Sequence, residues 1–340
     1  MADSRSTLLF SAALPLLLSG CYIIRQGCGQ LDILLHRRNV DEVLAGPAPE
    51  PEKEKLKLVL EAKAFGERVL ALEPTDNYTT FFDTRGKPVS YAVTACRKDR
   101  FEPYTWWFPI VGTIPYKGFF RREDAVEEAR DLEAEGYDVN VGVVGAYSTL
   151  GWFSDPIFSS MLRQSEEELV DLILHELTHS TVYAKGHGDF NESLAGFVGR
   201  EGALDFARRR WGERSEISRR AVDRFADEDR IDRFMQDLFR ELDAYYRSRP
   251  ANVLAGRAEI WAKARERLHE VQKELKVERY DWLLKVEVNN AVVLGRRRYG
   301  RTDLFRKHFE AVGGDWPKFF ERMRAIAAMP DPIRALEESR

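Results

Sequence analysis

Near the middle of the chain, His175-Glu176-Leu177-Thr178-His179 carries residue types spaced for metal chemistry. Two histidines four apart share one helical face, one turn between them, so both imidazoles can reach one Zn2+ at about 2.0–2.1 Å. Glu176 stands beside that point without being a ligand, where a carboxylate can accept a proton from water. Val170, Leu172, Ile173 and Leu174 surround the segment. An apolar helix that buries two His and a Glu needs an interaction that compensates their desolvation.

Two protein ligands leave a catalytic zinc one short. His187, Asp189, Glu192 and Glu201 follow downstream. The metzincin pattern fails, because Val182 and Lys185 stand where it needs Gly and His. Glu192 has the strongest physical case. It opens a helix reading N-E-S-L-A-G-F-V-G-R-E-G-A, and Ala195, Gly196, Gly199 and Ala203 share its face. Each Gly costs a helix roughly 1 kcal/mol, so such a face is expected where the active helix approaches closely. His187 and Asp189 remain alternative ligands. Tyr147, Tyr183 and His187 are candidate donors to a developing oxyanion, Tyr183 by lying one turn beyond His179. Glu201 and Asp189 are candidate anions for a substrate ammonium group.

The elements that must position these groups are legible in outline. Ser165 with Glu168 is a capping-box signature, opening a helix expected to run to about Lys185, where Gly186 stops it; the next helix is expected from Asn191. Long amphipathic helices are expected over 215–249 and 253–276. Upstream, β-branched and aromatic runs at Phe81-Phe82, 89–94, 104–108 and 110–112 predict strands, with Arg85-Gly86-Lys87-Pro88 as a hairpin turn between the first two. A charged helix over 121–135 ends at Gly136, and a strand is expected over 139–147, either in the core or as the edge of a substrate cleft. Helices are expected over 30–43 and 52–72, with Pro47, Pro49 and Pro51 as a linker. The fold class is therefore α+β: a small sheet region over 80–150 followed by a large, mostly helical part over 165–340.

The chain has 340 residues, 44% apolar and 32% charged, with 52 basic and 56 acidic residues for a net charge of −4. That excludes a disordered chain and argues against a nucleic-acid binder held by bulk charge. Three cysteines are too few for a disulfide scaffold. The long apolar run lies at the N-terminus, Leu8 to Leu18, and is short for a membrane span. Leu18-Ser19-Gly20-Cys21 follows it and resembles a bacterial lipobox, in which the Cys is lipidated and becomes the mature N-terminus. Residues 1–20 read as the signal peptide, 21–51 as an N-terminal segment and linker, and 52–340 as the main domain. Lipid on Cys21 would anchor that domain to a membrane facing the periplasm. Tyr22 after the Cys leans, by the same resemblance, towards the outer membrane. Cys28 and Cys96 would remain, either paired in an oxidising compartment or as two separate thiols.

Nearly end to end, the chain resembles a family of bacterial lipoproteins named as zinc-dependent aminopeptidases of gluzincin type. The resemblance is carried by Gln26-Gly27-Cys28-Gly29-Gln30-Leu31, Pro115-Tyr116-Lys117-Gly118-Phe119-Phe120, Gly145-Ala146-Tyr147-Ser148-Thr149-Leu150-Gly151-Trp152-Phe153, the H-E-L-T-H segment, Asn191-Glu192 and Asn289-Asn290-Ala291. It implies a zincin-like fold, one zinc on His175, His179 and Glu192, Glu176 as base, and a peptide substrate; the aminopeptidase activity comes from the family name alone. Many gluzincins carry an acid four residues after the ligand Glu, orienting the first His. Gly196 stands there, so that partner must come from elsewhere. A lipoprotein whose zinc is inert, and a zinc hydrolase or endopeptidase acting on cell-envelope substrates, are the alternative readings.

Overall fold

The computed structural model describes residues 22, 24–108, 112–144, 154–277, 280–297 and 301–338. Helix dominates, with three small sheets, so the fold is α+β. The amino-terminal third holds α1 (24–36), β1 (Arg38–Asn39), α2 (Val40–Ala45), α3 (Glu50–Arg68), β2 (Thr80–Phe82) and β3 (Ser90–Arg97). β4 (Trp106–Phe108), β5 (Gly112–Ile114), β6 (Lys117–Phe119), α4 (Arg122–Ala134), β7 (Tyr137–Val144) and β8 (Ile157–Phe158) complete the sheet region. Then come α5 (Glu166–Thr181), α6 (Gly188–Trp211), α7 (Glu216–Arg247), α8 (Val253–Lys273), α9 (Asp281–Lys285) and α10 (Asn290–Arg297). α11 (Thr302–Ala311), α12 (Trp316–Ala327) and α13 (Pro332–Glu338) close the described chain.

Three expectations about the amino-terminal half need correction. The helix expected over 30–43 is broken, because Asn39 caps a new helix through its Oδ1, which accepts from Asp41 N at 2.8 Å. Arg38 and Asn39 pair instead with Phe81 and Thr80, and the cap and ladder together outweigh helix continuation. The Arg85-Gly86 turn does form, with both residues at positive φ and Lys87 N donating to Thr84 O at 3.1 Å. It does not make a hairpin. β2 runs parallel to β8, whereas β3 lies between β6 and β7 in a separate sheet. Thr84 is held to the β8 side by Ser159 Oγ, which accepts from its N–H at 2.9 Å. One small sheet is thus three, ordered β1-β2-β8, β6-β3-β7 and β4-β5. Gly136, at φ +87, ends α4 as expected. β7 lies at a sheet edge and packs on α4 and α10; the stretch 145–153 lies outside the described residues.

The sheet of β3, β6 and β7 is locked to the helices by a buried polar network. Arg257 Nη2 donates to Asp138 Oδ2 at 2.6 Å, and Asn290 N donates to the same oxygen at 2.7 Å. Asn290 Nδ2 donates to Arg97 O, and Tyr246 OH donates to Asn290 Oδ1. These bonds offset part of the desolvation cost of the buried Arg257–Asp138 pair. Gly29 of α1 lies so close to Phe120 that a Cβ there would stand 2.2 Å from Cδ2 of the ring. Cys28 is exposed and Cys96 buried, and both are free thiols.

The largest buried cluster surrounds α5. Leu169, Val170, Ile173, Leu174 and Leu177 are fully buried on one face, each contributing about 1.5–3 kcal/mol. The capping box is present: Glu168 Oε2 accepts from Ser165 N at 2.8 Å. Packing fixes the apolar face of α5 and thereby turns His175 and His179 towards Glu192 of α6. α5 makes its most extensive contact with α6. A Cβ on Gly199 would stand 2.3 Å from Asp171 Oδ1 and 2.9 Å from Asp171 O; one on Gly202 would stand 2.7 Å from Leu174 Cδ1. Gly196 does not share this duty, for the nearest atom to its Cβ position is Thr302 Cγ2 at 3.9 Å.

Candidate metal centre

The helix bearing His179 ends at Thr181, not near Lys185. Ser180-Thr181-Val182 is a poor run for a helix, and Val182 is extended at φ −138, ψ 122. Thr181 is held at both ends: its Oγ1 donates to Leu177 O at 2.9 Å and accepts from Glu73 N at 3.0 Å. The buried Asn191 amide then clamps the returning loop. Its Oδ1 accepts from Ala184 N at 2.8 Å, and its Nδ2 donates to Ala184 O at 2.9 Å. Gly186 takes φ +84 in the turn, and α6 starts at Gly188 rather than Asn191. The early stop removes the long descent that a helix to Lys185 would impose, and Glu192 arrives opposite the two histidines within one turn of the start of α6.

His175 Nε2 lies 3.5 Å from Glu192 Oε2, and His179 Nε2 lies 3.8 Å from Glu192 Oε1. One ligand atom from each of His175, His179 and Glu192 lies within 4.8 Å of the others. Among the described residues, His187, Asp189 and Glu201 do not join this group. Glu201 is ion-paired with Arg306, and Asp189 lies 4.0 Å from Arg297. Tyr183 is outside the helix and 56% exposed, so the one-turn argument that placed it beside His179 does not hold. Tyr147 and Cys21 lie outside the described residues.

Electrostatics mark the same spot. Burial pushes the Glu176 carboxyl up to about 7, helped by Glu192 and Asp155 and opposed by His175. Burial pulls His179 down to about 4, with the neighbouring His175 acting in the same direction. Its Nδ1 is buried with no hydrogen-bond partner. Burial also disfavours a charged His175, but the Glu192 hydrogen bond and the charges of Glu176, Glu192 and Asp171 outweigh it and raise the pKa. A neutral His179 beside a carboxylate is a donor set suited to a divalent cation.

Two groups near Glu176 escaped the sequence reading. Tyr78 is 3% exposed and sits at φ +64, its N–H donating to Asp155 O at 2.8 Å. Burial raises its hydroxyl pKa well above the ordinary value, and the charges of Glu176 and Asp155 add to this. Asp155 is 6% exposed, its N–H donating to Asn77 Oδ1 at 2.9 Å. Both come from the loops around β2 and β8, far from H-E-x-x-H in sequence, and no local pattern announces them.

Asn191→Ala leaves the buried Ala184 N–H and C=O without their partners. A loss of about 2–3 kcal/mol is expected for two abandoned groups, read by urea unfolding of the metal-free protein. A loss under about 0.5 kcal/mol would show that the loop keeps its path without the amide.

The family model described as "Putative aminopeptidase" matches residues 21–337. No curated protein and no solved structure matches the chain closely enough to add to this. Because the match spans the sheets, the α5–α6 seam and the His175–Glu176–His179–Glu192 group, the chain belongs to that aminopeptidase family.

Proposed function

We propose that this protein is a zinc-dependent peptidase of zincin-like fold, working as an aminopeptidase and held at a membrane surface by lipid on Cys21. The observation that carries the reading is the approach of His175, His179 and Glu192 to within 4.8 Å, with Glu176 next in sequence to the first of them. Tetrahedral ligands at about 2.0–2.1 Å from zinc stand about 3.3 Å from one another. The separations of 3.5 and 3.8 Å run to the two different oxygens of Glu192, and one ligand atom from each residue lies within 4.8 Å of the others, so the residues fit the ion once their side chains draw inward. A structural zinc is normally closed by four protein ligands; three gather here among the described residues, beside a fourth group suited to proton transfer. That favours an enzyme over an inert zinc lipoprotein.

Zinc bound there would polarise a substrate carbonyl and acidify a water. The chain supplies the rest. Glu176, with a carboxyl near pKa 7, is poised to take a proton from the attacking water and return it to the leaving amine. Tyr78 remains a phenol and can donate a hydrogen bond beside that carboxylate. Both anions considered for the substrate ammonium already have a cationic neighbour, Arg306 for Glu201 and Arg297 for Asp189, so neither is singled out.

The membrane reading has its own support. Among the described residues, no helix is long and apolar enough to cross a membrane. The described part of α1 begins three residues after Cys21. It turns Ile24, Leu31 and Leu35 outward at 53–68% exposure, with exposed Cys28 on the same stripe, opposite the face carrying buried Ile33. An apolar stripe there suits a helix lying against lipid.

Cys21→Ser should leave an unprocessed precursor on gels of labelled cells. Normal processing with unchanged membrane fractionation would point to an ordinary signal peptide. For the chemistry, Glu176→Gln should keep metal content and melting temperature while hydrolysis of aminoacyl chromogenic amides falls on the order of a hundredfold or more. Equal turnover per bound metal would remove Glu176 from the mechanism. Cleavage of N-blocked peptides in place of aminoacyl amides would make the enzyme an endopeptidase.

A further inference from the structure

We infer that the β4–β5 ribbon is a second membrane contact beside the lipid, with Trp107 seated among the headgroups so that the domain keeps one orientation on the bilayer; the inference rests on the acylation of Cys21 proposed above. The residue after Cys21 belongs to the folded domain. Tyr22 OH donates to Gly118 O of β6 at 2.9 Å, and its ring lies 5.6 Å from that of Phe119 and 5.9 Å from that of Phe108 on β4. Lys117 Nζ stands 4.8 Å from the centre of the same ring. Farther along, Arg25 pairs with Asp124 of α4 at 2.8 Å, and Gly29 meets Phe120. Consecutive Cα atoms are about 3.8 Å apart, so lipid on Cys21 starts one residue from packed structure. Covalent reach alone then holds the surface around Tyr22 against the headgroups.

The ribbon carries the side chain that such a surface favours. β4 and β5 pair antiparallel, Trp107 opposite Thr113. Trp106 is buried, its Nε1 donating to Glu128 Oε1 at 2.7 Å, and Phe108 packs on the same cluster and on Tyr22. Strand alternation sends Trp107 to the other side. At 70% it is the most exposed large apolar side chain among the described residues. A tryptophan is favoured at a membrane–water interface, where its apolar rings and its N–H each meet a suitable medium. Exposed apolar groups gather around it. Val143 stands at the open edge of the paired row Phe119–Tyr91–Val143, whose side chains share one face, and Phe119 is the residue that holds the Tyr22 ring. Of the twelve large apolar side chains exposed among the described residues, six lie on α1 or between β4 and β7. That concentration next to the acylated residue selects a bilayer as the partner of this face. A second contact beside a lipid chain strengthens the anchor and removes the freedom to swivel that one attachment point leaves.

The test is tryptophan fluorescence of the mature protein, purified from membranes and reconstituted into phosphatidylcholine–phosphatidylglycerol vesicles with and without bromine on the acyl chains close to the headgroups. Brominated lipid should quench the wild-type emission. Trp107→Phe should lose most of that quenching while keeping the melting temperature and vesicle association of wild type, because the exposed indole is outside the core and a ring remains on the ribbon. Trp282→Phe, which removes an exposed tryptophan from α9, should leave the quenching as in wild type. Quenching that persists in Trp107→Phe, quenching that disappears in Trp282→Phe, or an acylated wild type that bromine does not quench would each overturn the inference. Mass spectrometry of the same preparation separates this from failure of the anchor: a mature chain without acyl groups on Cys21 would remove the lipid reading, and the inference with it.

Discussion

The site depends on how closely two helices can approach. α5 carries the histidines and α6 carries the glutamate, and Glu192 stands 3.5–3.8 Å from the imidazole nitrogens only because Gly199 and Gly202 put no side chain between the helices. The sequence accepts a helix-propensity cost of roughly 1 kcal/mol for each of these glycines. Burial of five aliphatic side chains on α5 outweighs it several-fold. The same closeness creates the electrostatics: Glu176, Asp171 and His179 are displaced from their ordinary pKa values chiefly by desolvation in the seam.

What lies around the seam serves to hold it. The capping box at Ser165 fixes where α5 begins, and the Asn191 amide fixes how the chain returns to α6. Asn191 and Glu192 are adjacent, one binding backbone and the other facing the histidines, so the loop path and the carboxylate position are set by neighbouring side chains. Farther away, Asn290 ties β3, β7, α7 and α10 together through Asp138, Arg97 and Tyr246. The Asn289-Asn290-Ala291 stretch is thus accounted for by architecture. Gly29 against Phe120 does the same for two others, joining Gln26–Leu31 to Pro115–Phe120.

The legible part of this protein was the part written in short periods. An i, i+4 pair of histidines, a capping box and a small face on one helix are local patterns, as are the β-branched and aromatic runs and the amphipathic periods from which the α+β class followed. The illegible part depended on partners distant in sequence. Thr181 ends its helix partly through Glu73, so the weak local signal in Ser180-Thr181-Val182 did not by itself fix where the helix stops. The Arg85-Gly86 turn has hairpin chemistry, yet β8 and β7 compete for the flanking strands and take them into different sheets. Tyr78 and Asp155 approach Glu176 across the fold with no motif of their own.

The most direct test of this account is the zinc content of dialysed protein, wild type beside Glu192→Ala, with His187→Ala as the control from the adjoining loop. One zinc per chain in wild type, strongly reduced by Glu192→Ala and unaffected by His187→Ala, is the expected result. A wild-type protein without bound transition metal would contradict it. So would zinc that survives Glu192→Ala and is lost with His187→Ala, because the α5–α6 seam would then not be what brings the ligands together.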